Sequence, residues 1–295
     1  MNNTSNTNKT FDHYIYHANC VDGLTAVAIA VQPQQEHNNL YTTAAMSYDD
    51  KLDIRALEGK DVCFLDFSVT QDVMLELLEV AKSVTVIDHH VSVYKELSEI
   101  EHENFEYVYD ITKSGAGLAW DFFIGTDYPY FVHLVQDRDI WTKKFKDADA
   151  LSLAIRVEEM YFEDMTCLIA DILAYSKEHP QGVDSETYRL IEEGKLYQNY
   201  QQYMVKQIAS NAIKSTLDDG TEVMKVNCIT GLISDVGNYL SENNECGVAL
   251  LYCDLPDVRV YSLRVAANCD YDASTYAKSK GGGGHRRSAG FSEPL

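Results

Sequence analysis

Four short polar clusters carry the side chains that could do chemistry in this chain. They are His17-Ala18-Asn19-Cys20-Val21-Asp22-Gly23, Leu65-Asp66-Phe67, Asp88-His89-His90 and Gln136-Asp137-Arg138-Asp139-Ile140-Trp141. Each alone has a plainer explanation, because an aspartate after a strand is commonly a turn former or a helix cap. Together they form a set of carboxylates, imidazoles and one amide, the donors that divalent Mn or Mg prefers over thiolates. Two such ions about 3.5–4 Å apart need a bridging carboxylate and ligands from several segments, and they serve hydrolysis of phosphoesters. Thiolate-bound zinc is disfavoured, since no two of the seven cysteines (20, 63, 167, 228, 246, 253 and 269) have CxxC spacing.

The elements that would position these residues alternate in type. The runs Tyr14-Ile15-Tyr16, Leu40 to Thr43, Val62 to Leu65, Val84 to Ile87 and Tyr107 to Tyr109 read as strands. Asp22 to Ile29 and the face Val73, Leu77, Leu78 and Ala81 read as helices between them. Strands alternating with helices imply an α/β domain with a mostly parallel sheet, whose ligands sit at the carboxyl ends of the strands. Three of the four clusters directly follow such strands. Residues 128–215 read as helical, with a long polar helix capped by Asp184 or Ser185. After the turn cluster Thr216 to Gly220, strands resume at 223–226, 248–252 and 258–263. The expected organisation is a disordered tail over 1–10, an α/β domain over 11–183, a linker helix over 184–215 and a smaller α/β domain over 216–295.

Composition narrows the partners. A chain of 295 residues that is 45% hydrophobic can bury a core, and its longest apolar runs fall far short of a membrane span. The odd number of cysteines, with no secretion signal in MNNTSNTNKT, points to reduced thiols and a cytoplasmic protein. Most cysteines, Cys63 and Cys253 among them, are expected as small buried hydrophobes. The formal charge of −22 repels long polyanions, so a nucleic-acid substrate should be short and long duplexes excluded.

Positive charge gathers near the C-terminus. Gly281 to Gly284 precede His285, Arg286 and Arg287, and successive glycine N–H groups can form an anion nest. Gly282, Gly283, Gly284, His285 and Arg286 are therefore candidate substrate-binding residues. Ser114, opening Ser-Gly-Ala-Gly at a helix start, could hold an anion or simply cap the helix. Tyr197, Tyr200 and Tyr203 read as linker packing rather than a stacking platform.

The order HxNxxDG, a lone Asp after an apolar strand, DHH and DxW resembles the DHH phosphoesterase family. Gly-Gly-Gly-Gly-His-Arg-Arg-Ser-Ala-Gly-Phe at 281–291 resembles the signature of that family's C-terminal associated domain. The resemblance spans residues 14–291. It implies a metal-binding DHH domain, a helical linker and a cap, with two divalent metal ions, Mn²⁺ foremost. His17 and Asn19 would face one metal, Asp22 and His89 the other, and Asp66 would bridge them. Asp88 would orient the histidines, and His90 would act on the scissile phosphate. Asp139 would be the last ligand, with Asp137 as the alternative. Arg264 resembles the family's substrate-binding arginine. The family normally has Asp where this chain has Asn19, with its two acids spaced differently. The implied activity is phosphodiester hydrolysis of short single-stranded oligonucleotides, in the manner of a nanoRNase or exonuclease. Cyclic dinucleotides or other small nucleotide phosphoesters are the alternative substrates, a catalytically weakened nucleotide-binding relative is the alternative role, and a homodimer is compatible with either.

Overall fold

The computed structural model describes residues 9–36, 39–125, 127–179 and 182–295. Residues 1–8 of the expected tail lie outside the described residues; Lys9, near its end, donates to Thr85 and Glu106. The chain divides into two compact units, Met1–Tyr197 and Gln198–Leu295.

The first unit is built on β1 (His13–His17), α1 (Val21–Ala30), α2 (Gln32–Glu36), β2 (Thr42–Met46), β3 (Asp61–Leu65), α3 (Gln71–Leu78), β4 (Ser83–Asp88), α4 (Val91–Leu97) and β5 (Phe105–Tyr109). The five strands form one parallel sheet in the order β2-β1-β3-β4-β5. Its central strands read as near-continuous Val/Ile/Leu/Phe runs because helices cover both faces. Ile15, Val62, Phe64, Val84 and Val86 face one core, while Tyr14, Cys63, Leu65 and Ile87 face the other.

The helical part of this unit is α5 (Gly115–Phe123), α6 (Tyr130–Asp139), α7 (Ala148–Val157), α8 (Phe162–Glu178) and the start of α9 (Ser185–Ala209). Among the described residues, 128–215 are thus four helices ending in a strand rather than helix throughout. α1 is apolar around its circumference, as a helix enclosed by others must be. It is buried from Thr25 to Ala30, in one core with residues of α5 and α8.

The second unit holds the end of α9, then β6 (Ile213–Thr216), β7 (Glu222–Asn227), α10 (Ile233–Glu242), β8 (Val248–Asp254), β9 (Val258–Val265), α11 (Ala273–Ser279), β10 (Gly283–His285) and β11 (Ser288–Pro294). Its mixed sheet runs β10-β11-β9-β8-β7-β6, with only β7 and β8 parallel. Alternation along β8 serves two cores: Val248 and Leu250 pack with Tyr276 and Phe291, Ala249 and Leu251 with Val205 and Leu240. Of the cysteines only Cys63 and Cys228 are buried; Cys253, at the end of β8, is half-buried. No helix among the described residues is long and apolar enough to cross a membrane.

Candidate metal centre

Strand register aligns the exits. Tyr16 pairs with Leu65 and Leu65 with Ile87, so His17, Asp66 and Asp88 follow one row across the carboxyl end of the sheet. Asp66 leaves β3 in a left-handed conformation (φ 54°), which an aspartate tolerates better than most residues. Gly23 lets α1 start against β1, since a Cβ there would lie 2.6 Å from the His17 carbonyl. That approach places Asp22, in the first turn of α1, behind the row.

Two triads result. His17, Asp66 and His90 each offer a ligating atom within 4.8 Å of the others, and so do Asp22, His89 and Asp139. Asp66 links them: one oxygen lies 3.5 Å from His17 Nδ1, the other 3.2 Å from His89 Nε2, which is also 3.2 Å from Asp139. None of these approaches has hydrogen-bond alignment. Both Asp66 oxygens, His17 Nδ1 and His89 Nε2 are buried without a hydrogen-bond partner. Buried polar atoms are rarely left orphaned, and four converging on one point are what divalent cations would satisfy.

The electrostatics agree. Burial, and then the charges of Asp66 and Asp139, push the Asp22 carboxyl well above its ordinary range. Burial and the Asp66 charge likewise raise Asp139. Burial also acts to raise Asp66, but the facing imidazoles of His17, His89 and His90 outweigh it and hold the carboxyl at about 2. Three carboxylates this close repel one another unless a cation is shared.

The surrounding contacts orient the set. Asp22 accepts the Gly115 N–H at 2.6 Å and the Ala116 N–H at 3.0 Å at the start of α5, where the helix dipole favours a negative charge. Asp88, fully buried, accepts the His89 N–H at 2.7 Å, the His90 N–H at 3.2 Å and the Ser68 hydroxyl at 3.2 Å. Its Oδ1 also faces His90 Nδ1 at 2.7 Å, and this hydrogen bond raises the imidazole pKa to about 9.

The remaining expected residues are distributed as follows. Asp139 joins the cluster, whereas Asp137 accepts from Thr142 Oγ1, the Lys144 N–H at 2.8 Å and the Phe145 N–H at 3.2 Å, and so organises the loop after α6. Asn19 is exposed, in a left-handed turn (φ 55°), and lines a cavity with Asp22 and Asp139. Ser114 caps α5 by accepting the Gly117 N–H at 3.2 Å.

In the second unit, Arg264 Nη2 donates to Ser234 Oγ at 3.1 Å. The glycine run is part of a hairpin rather than an open loop. The Gly282 N–H is given to the Ala277 carbonyl at 2.8 Å, and Gly283 to His285 pair with Ser288 to Gly290. A Cβ on Gly282 would lie 2.1 Å from the Gly290 carbonyl, so the glycine permits the strand approach. His285, Arg286 and Arg287 are exposed at the turn, where Arg286 and Arg287 donate to backbone carbonyls.

Spacing gave no signal for two neighbours of the centre. Tyr48, half-exposed, sets its ring 5.4 Å from His17 and 6.2 Å from His90. Gly115 packs directly on Asp66.

No protein-family model matches the chain. A curated relative, uncharacterized protein R106 of Acanthamoeba polyphaga mimivirus, is 28% identical over 242 residues, covering 80% of this chain and 53% of that protein. The chain thus spans about half the length of the curated relative it matches. Among solved structures, the pGpG-specific phosphodiesterase PggH of Vibrio cholerae aligns over 96% of this chain and 93% of its own, with TM-score 0.51 and 10% identity. RecJ of Thermus thermophilus in complex with Mn²⁺ aligns over 95% of this chain and 49% of its own, with TM-score 0.48 and 14% identity. The likeness to the first of these is one of fold.

Proposed function

We propose, from the premise that this chain has the DHH phosphoesterase fold, that it is a divalent-metal-dependent phosphodiesterase acting on short single-stranded oligonucleotides. The observation that carries the reading is the convergence of two His/Asp triads on Asp66, whose two buried oxygens have no hydrogen-bond partner. His17 and Asp66 would hold one ion, with His90 beside them, and Asp22, His89 and Asp139 the other, with Asp66 common to both. Such ions supply an activated water and neutralise charge on the phosphoryl oxygens.

The chain's own residues do the rest. Asp66, kept ionised, holds the two halves of the centre together. Asp22, anchored by two N–H groups of α5, cannot swing away. Asp88 fixes the ring of His90 and favours its protonated form, so that His90 would offer a proton or a positive charge to the phosphate as the leaving oxygen departs. Its place beside His17 and Asp66 also allows ligation, and the variants discussed below separate the two roles. Arg264 and the turn at His285 and Arg286 are the phosphate-binding candidates of the second unit. The net charge of −22 supports short substrates, because an acidic chain repels a long polyanion. Mn²⁺ is the ion we propose, since carboxylate donors suit it.

The test is to incubate the protein and Mn²⁺ with labelled RNAs of two to five nucleotides, a long single strand and cyclic dinucleotides. Cleavage of the short RNAs, abolished by chelator, is expected. Preferential cleavage of cyclic dinucleotides would move the assignment to that substrate, and full activity after exhaustive chelation would end the metal mechanism.

A further inference from the structure

We propose that a groove beside Asp139 in the first unit is a nucleotide subsite, in which Trp141 stacks on a nucleobase and Arg156 holds a phosphate. The proposal rests on the phosphodiesterase reading and assigns a place to the nucleotide next to the scissile bond.

Two cavities, of about 220 and about 460 Å³, share Asn19, Cys20, Val21 and Arg156 as wall residues and so adjoin; we take them together as one groove. The first contains Asp22 and Asp139 together with Trp141, which makes the groove continuous with the metal centre. The second is walled by Tyr16, Met160, Tyr161 and Phe162 and falls within the range of roughly 300–1,000 Å³ usual for small-ligand sites. An apolar, aromatic end joined to a polar end at a metal centre matches the two halves of a nucleotide.

The loop that closes the first cavity is strained. Trp141 and Lys143 both adopt left-handed backbone conformations, φ 54° and 55°, and Trp141 is 59% exposed. A bulky residue held in this region is an outlier that persists only where its surroundings enforce it, commonly at functional sites. Asp137, 4% exposed, supplies the enforcement by accepting from Thr142, Lys144 and Phe145. A large ring is thereby displayed to water beside a metal-centre aspartate.

Cations already lie against the ring, and a stacked base would displace those on its face. The Arg138 guanidinium carbon and Lys143 Nζ lie over the Trp141 ring at 4.4 and 4.3 Å. Arg138 is tied to Asp149 at 2.9 Å. Arg156 donates to the Ser152 carbonyl at 3.3 Å and has no acidic partner among the described residues. In a chain with 46 acidic and 24 basic side chains, an arginine without an acidic partner on a cavity wall is available to a phosphate. Base stacking on an aromatic ring with a nearby cation is the common way of holding single-stranded nucleotides.

The chain has two tryptophans, and Trp120 is 1% exposed, so ligand-induced quenching reports chiefly on Trp141. Chelated protein is titrated with a 5′-phosphorylated adenosine dinucleotide, and separately with inorganic phosphate. Saturable quenching by the dinucleotide alone is expected, with the signal absent in Trp141→Phe. Trp141→Asn keeps a residue suited to the left-handed turn and should weaken binding about five- to hundredfold, the loss of one stack. With Mn²⁺ and the same dinucleotide, Arg156→Ala should raise KM with kcat unchanged. Cleavage without quenching, with wild-type KM in both variants, overturns the groove and leaves the hydrolase reading intact. Quenching without cleavage overturns the hydrolase reading and leaves the groove standing.

Discussion

Gly115 and Asp66, 49 positions apart in the chain, approach so closely that a methyl group on the glycine would sit 2.4 Å from the Asp66 Cβ. The same methyl would lie 2.9 Å from Asp22 Oδ2. One absent side chain therefore lets the helix that anchors Asp22 dock beside the aspartate shared by both triads. Gly115→Ala must displace α5 or Asp66. It is expected to lower the melting temperature and to remove most of the stabilisation that added Mn²⁺ gives. Gly231→Ala, where nothing lies within 4 Å, is the control and should behave as wild type in the same thermal melts. Equal Mn²⁺ stabilisation in both variants would count against this packing role.

Asp66→Asn and His90→Ala should differ in kind. Asn tolerates the left-handed turn at position 66 but removes a charge from both triads, so calorimetry should show metal binding lost. His90→Ala should retain most metal affinity and slow turnover by roughly 10²–10⁴-fold, as for loss of a general acid. Metal loss in His90→Ala as severe as in Asp66→Asn would make His90 a ligand.

Much of this was legible in the chain, and the failures have physical reasons. The central strands β3 and β4 announce themselves because burial on both faces demands unbroken apolar runs, as in Val62 to Leu65. Ile213 to Ser215 read as helix and Thr216 as turn because β6 is a mostly exposed edge strand with almost no burial pattern to read. The glycine run suggested an open anion loop, since glycine freedom says nothing about whether the backbone is used for pairing; here Gly282 serves strand packing. Cys253 sits in an apolar run, yet lies where β8 is leaving the core. Spacing from Trp141 favours Asp139 as the ligand and leaves Asp137 as the alternative. Only the hydrogen bonds to Lys144 and Phe145 show which of them is occupied elsewhere.

That distinction has a measurable consequence. Asp137→Ala leaves two backbone N–H groups and a hydroxyl without their acceptor, at a cost of about 1–3 kcal/mol for each group left buried. It should lower stability in urea melts. Asp139→Asn should leave stability nearly unchanged and weaken Mn²⁺ binding. The reverse pattern would exchange the two roles.

Asn19 lines the cavity that contains Asp22 and Asp139, so a carboxylate in its place would add charge beside the proposed metal centre. Two unit charges at about 4 Å are worth about 4 kcal/mol at an effective dielectric near 20, so partial compensation still leaves a deficit. Asn19→Asp, which keeps a residue suited to the left-handed turn, should lower the Mn²⁺ concentration needed for half-maximal rate. Unchanged metal dependence would assign Asn19 to the turn alone.

Counting bound Mn²⁺ by electron paramagnetic resonance, in the wild type and in Asp66→Asn, tests most directly whether the two triads form a metal centre. Two ions per wild-type chain, and loss of binding in Asp66→Asn, are expected. Wild-type protein that binds no Mn²⁺, or a variant that binds it equally well, would contradict the assignment.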